Sequence, residues 1–191
     1  MKPITRKLFV SFFFFVSFWS TEGFSQAIVS KKFTFGKYEP NLGKIVKIEQ
    51  YQLGSSDVLH YSFLLNYSIF KVRTMTGHSY FTQLECKSLI DNTIFKTLII
   101  EKDLTELIDA IYEMERSAQV DIKTQASYLE ARFDMFDNSS LGYYVSEGHL
   151  KWFFNFDRAA DGFVVQVLNI KETKRTLERA LAKISEFKEA K

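Results

Sequence analysis

Four aspartates, Asp134, Asp137, Asp157 and Asp161, bracket two turn-forming segments in the C-terminal half of the chain. If the segments around them form an antiparallel meander, the loops 137–142 and 158–162 fall at the same end of one sheet. Asn138 and Arg158 join them there. Hard carboxylate oxygens suit Ca²⁺, and a pair of carboxylates is what acid–base hydrolysis uses. The plainer role is also open: Asp and Asn are turn formers, and Asp161-Gly162 is itself a hairpin signal. The sequence favours that plainer role, with a small hydrolase or a Ca-binding module as the alternative.

A second chemistry lies in the aromatics. The run Trp152-Phe153-Phe154-Asn155-Phe156 places large rings on both faces of one strand. A strand with one buried face needs only Trp152, Phe154 and Phe156. Phe153 and Trp152, with Tyr143 and Tyr144 nearby, therefore form the candidate surface for an apolar small molecule or a protein partner. The competing role for these rings is packing beneath a helix or the N-terminal segment.

The remaining motifs fail. Gly36-Lys37 and Gly43-Lys44 invite a phosphate loop, but Tyr38 stands where such a loop needs Gly, and Ile45 where it needs Ser or Thr. There is no G-x-S-x-G, H-E-x-x-H or C-x-x-C. His60, His78 and His149 lack metal-ligand spacing. The single cysteine, Cys86, alternates with Leu84 and is expected to be buried. No catalytic residue and no cofactor follow from the sequence.

Residues 1–27 read as a secretory signal peptide. Lys2, Arg6 and Lys7 precede an apolar run from Leu8 to Trp19, and Ser25-Gln26-Ala27 ends it with small residues at a cleavage site. That run is too short for a span, which takes about 20 apolar residues. The implied location is secreted or periplasmic, in a bacterial envelope, with no membrane span after cleavage. Losing Lys2, Arg6, Lys7 and Glu22 with the segment leaves acidic and basic residues equal in number. A nucleic-acid partner would call for a basic surplus, so none is expected.

These groups must be positioned by residues 28–191, expected to be a single exported domain. Alternation over 44–51, 58–75, 79–87 and 94–100 predicts strands, with a turn at Gly54–Asp57. Asp103 with Glu106 reads as a capping box opening a helix whose stripe is Leu104, Leu107, Ile108, Ile111 and Met114. Ser117–Gln125 reads as a polar connector, with Val120 and Ile122 as anchors. The second half predicts strands over 128–136, 143–145, 149–157 and 163–168. A helix capped by Asn169 follows, its stripe Leu177, Ala180, Leu181 and Ile184. The fold class is α+β: a mainly antiparallel meander of about eight strands with two covering helices. Halves 44–117 and 126–189 repeat the same plan, which raises a duplicated β4α unit.

Overall fold

The computed structural model describes residues 47–57, 63–75, 77–156 and 163–190. Eight strands and two helices follow one another as β1 (Lys47–Asp57), β2 (Phe63–Thr74), β3 (Gly77–Ser88), β4 (Ile94–Ile100), α1 (Glu101–Asp121), β5 (Tyr128–Asp134), β6 (Ser140–Ser146), β7 (His149–Phe156), β8 (Phe163–Val167) and α2 (Ile170–Glu189). The strands make two antiparallel four-stranded sheets, β1-β2-β3-β4 and β5-β6-β7-β8, each a simple meander and neither closed into a barrel. The fold is α+β, as the alternation of apolar residues implies. Among the described residues no helix is long and apolar enough to cross a membrane.

Several boundaries differ from those the sequence implies. Gly54–Asp57 is not a turn: β1 runs through it, and the register shifts between Gln52 and Gly54 to absorb one extra residue as a bulge. Gly54 takes φ +132°, a conformation open to glycine and strained for other residues. Strand β6 starts at Ser140, earlier than Tyr143, because the turn before it is only 135–139.

The helices differ at their N-termini. Asn169 caps α2 as expected, its Oδ1 accepting from the Glu172 N–H at 3.2 Å. Asp103 does not cap α1. The chain passes from β4 straight into the helix at Glu101, with extended Ile100 at the cap position and no side-chain bond. Asp103 Oδ2 instead accepts from the Phe136 N–H in the β5–β6 turn, at 3.2 Å. Helix α1 also runs on through the expected connector to Asp121, leaving Val120 71% exposed and Ile122 38% exposed rather than anchored.

One core unites the elements. It takes the inward faces of both sheets (Leu65, Tyr67, Ile69 and Leu84 from the first; Leu141, Tyr143, Phe154 and Phe156 from the second) together with the stripes of both helices. At one constant offset in sequence, the stripe positions of the two helices correspond, Leu104 to Ile170, Leu107 to Thr173, Ile111 to Leu177, Met114 to Ala180 and Ala118 to Ile184, all buried. Leu181, expected in the stripe, is only half-buried. The helices run antiparallel, since Glu101 meets Lys188 (2.5 Å), Tyr112 donates to Glu178 (2.6 Å) and Glu115 pairs with Lys174.

Each helix also crosses to the other half. α2 packs on β1 and β2, while α1 packs on β5 and β6 as well as on β3 and β4. Tyr67 in β2 fixes one crossing by donating to Thr173 Oγ1 in α2 (3.3 Å). Tyr143 in β6 fixes the other by donating to Asp121 at the end of α1. The two sheets touch directly where Phe95 stacks on Phe163, with ring centroids 3.7 Å apart.

Candidate functional site

Strand alternation decides which aromatics can meet a ligand, because successive side chains point to opposite faces. Tyr143 and Trp152 belong to the inward face of the second sheet and are buried in the core. Their rings pack edge to face at 5.1 Å. The Tyr143 hydroxyl lies 2.8 Å from Ser117 Oγ as well as on Asp121. Burial, then the Asp121 carboxylate, push its pKa above the ordinary tyrosine range. Through Ser117 and Asp121, Tyr143 holds α1 to β6.

Tyr144 and Phe153 lie on the opposite, outward face, where neither described helix packs. There they continue a diagonal ladder: Tyr128 stacks on Tyr144 (6.0 Å between centroids), and Tyr144 leans on Phe153 (6.2 Å). Phe153 is only 7% exposed, so it forms the floor; Tyr128 is 56% exposed and Tyr144 half-buried. Gly142 sits directly across from Phe153. A Cβ at that glycine would lie 2.3 Å from the Ala131 carbonyl oxygen and 2.7 Å from Arg132 Cβ, so the position admits no side chain. Ser140 Oγ and Asn155 Oδ1, paired across β6 and β7 at the end of the ladder, are buried and unpartnered.

The rim of this face is charged. Arg132 reaches Glu130 at 2.5 Å and Asp134 at 3.1 Å along the same strand. The Tyr128 hydroxyl donates to Glu130, also at 2.5 Å, and that bond raises its pKa. The four-aspartate edge is only partly described. Asp157 and Asp161 lie outside the described residues. Asp134 is bound by Arg132. Asp137 accepts from the Thr97 hydroxyl on β4 and from the Ser139 hydroxyl (2.5 Å) and backbone N–H (3.1 Å), which ties the β5–β6 turn to the first sheet. Among the described residues no group of three or more His, Cys, Asp or Glu is placed to hold a metal ion.

Cys86 is buried, and burial pushes its thiol up to about 12. It stays protonated and unreactive in the folded chain. Tyr128 is the residue of this face that sequence reading missed. Its signal was present in the strict alternation of Tyr128, Glu130, Arg132 and Asp134, but only the cross-strand register brings it against Tyr144. The chain matches no protein-family model and no curated protein.

Proposed function

We propose that this is an exported, non-enzymatic interaction protein of a bacterial envelope, and that its partner surface is the outward face of the second sheet. The observation that carries this reading is the ladder Tyr128–Tyr144–Phe153 on a face the described helices leave uncovered. Aromatic anchors with an Arg beside them and a polar rim are the anatomy of a protein-binding patch. Of the two ligand classes the sequence raised, a protein partner suits this broad sheet face better than an apolar small molecule, which favours a concave site. Tyr143 and Trp152 support the face from beneath and touch no partner. In this reading residues 1–27 are a signal peptide, and the exported form begins near Ile28. The two β4α halves are a duplicated unit whose helices exchange partners across the molecule. A carboxylate site for Ca²⁺ or hydrolysis would have to use Asp157 and Asp161, since Asp134 and Asp137 already hold partners.

A photo-crosslinking residue placed at Tyr144 in the living cell tests the surface. Adducts should form there and be lost when Tyr128 is also changed to Ala, while the same probe at Glu178 on α2 yields none. Absence of adducts at 144, or equal adducts at both sites, would rule the surface out. Intact-mass analysis of the exported chain checks the start near Ile28; a retained N-terminus would contradict export by cleavage.

A further inference from the structure

The four edge strands are not equivalent. A sheet edge presents unpaired backbone donors and acceptors and is normally blunted. β4 and β8 lie at the junction of the two sheets, where Phe95 stacks on Phe163. β1 carries the bulge at Gln52/Gly54, a device that twists an edge away from further pairing. β5 has neither protection. It pairs with β6 in unbroken register from Tyr128 to Asp134, it contains no proline, and no described strand pairs with its other side. Its inward side chains, Leu129, Ala131 and Phe133, are only half-buried, unlike Leu141, Tyr143 and Val145 on neighbouring β6. A further strand laid along β5 would finish their burial.

The sequence of β5 says which strand fits. We propose that β5 pairs antiparallel with β5 of a second copy of this chain, about a twofold axis through Ala131, joining two sheets into one. In that register Tyr128 faces Asp134 of the other copy, Leu129 faces Phe133 and Glu130 faces Arg132. Every pair is complementary: a phenol with a carboxylate, two apolar side chains, and opposite charges. Moving the axis by one residue, to Glu130 or Arg132, sets like charges face to face, and any one-residue slip turns the apolar set outward. The pairing is isologous, so it closes as a dimer and does not propagate. Within one copy Arg132 already binds Glu130 and Asp134, so the side chains stand ready on the face where the exchange takes place. This interface uses the edge of the sheet, and failure of cross-linking at Tyr144 would leave it standing.

Sedimentation of the purified protein across the micromolar range tests the pairing. The wild type should be a dimer. Arg132→Glu sets Glu against Glu across the axis and should weaken the dimer about tenfold or more. Glu130→Arg/Arg132→Glu reverses both charges in both copies and should restore it, with the 130–132 pair within the strand kept in reversed sense and the fold checked by circular dichroism. A wild type that stays monomeric throughout would overturn the proposal. So would a dimer indifferent to Arg132→Glu, or a folded double variant that remains a monomer.

Discussion

The two halves share a plan and differ on their outward faces. Counting back from the matched helix stripes through the hairpin registers pairs Leu98 with Val164, Ile100 with Gln166, Phe81 with Phe153, Phe70 with Gly142 and Val72 with Tyr144. In the first sheet these positions form a compact apolar cluster, with Val72, Phe81 and Leu98 no more than 7% exposed. In the second, the Phe81 position is again a Phe (Phe153) and the surrounding positions are Gly, Gln, Tyr and a 56% exposed Val. The inward faces do the same thing in both halves, packing dry against two helices. The outward faces carry no such shared demand. The first forms a second small core, and the second carries the Tyr128–Tyr144–Phe153 ladder beside charged side chains.

The largest effects should come from matched core positions. Ile111→Ala and Leu177→Ala remove fully buried side chains at equivalent points of α1 and α2, and each should cost roughly 2–5 kcal/mol in chemical denaturation. Similar losses in a single transition support one core; a large loss in only one helix would break the equivalence. Next comes Gly142→Ala, which forces a methyl group against Ala131 and Arg132 and should cost about 1–3 kcal/mol.

Smaller differences should separate the two helix starts. Asn169→Ala removes a true cap and should cost about 1 kcal/mol. Asp103→Ala should cost no more, and hydrogen exchange should then quicken at Phe136, whose N–H it holds, rather than at the first turn of α1. The Tyr143 hydroxyl has its pKa raised by burial and Asp121. The stability it contributes is present below the ordinary tyrosine value of about 10 and is lost as pH rises through the higher folded value. Tyr143→Phe should cost about 1 kcal/mol at neutral pH and flatten the alkaline loss. The smallest expected effect is on the acidic edge, where millimolar Ca²⁺ should leave the melting temperature of the wild type unchanged. A rise of several degrees that Asp137→Asn/Asp161→Asn abolishes would move the functional site to that edge.

Strand alternation and helix stripes were readable because burial on one face imposes periods of 2 and 3.6 on the residues themselves. That was enough for the α+β class, for both stripes and for Asn169 as a cap. Asp103 misled because a side chain with capping chemistry found a better acceptor role in a distant turn, while β4 ran directly into the helix. Gly54–Asp57 misled because a glycine in a strand can mark a bulge as readily as a turn. The candidate surface was half visible. Phe153 stood out as a ring that one buried face does not need, but alternation alone did not separate Tyr144 from Tyr143, and Tyr143 and Trp152 point the other way. Tyr128 joins the ladder only through pairing between β5 and β6.

The shared core is tested most directly by perturbing one half and observing the other. Leu84 is fully buried on β3 of the first sheet, and Trp152 reports from the inward face of the second. Leu84→Ala should shift the denaturation midpoint seen by Trp152 fluorescence by the same amount as the midpoint seen by far-ultraviolet circular dichroism, because the exchanged helices bind both sheets into one cooperative unit. A Trp152 transition that stays at its wild-type midpoint while the dichroism splits into two steps would show that each half folds for itself.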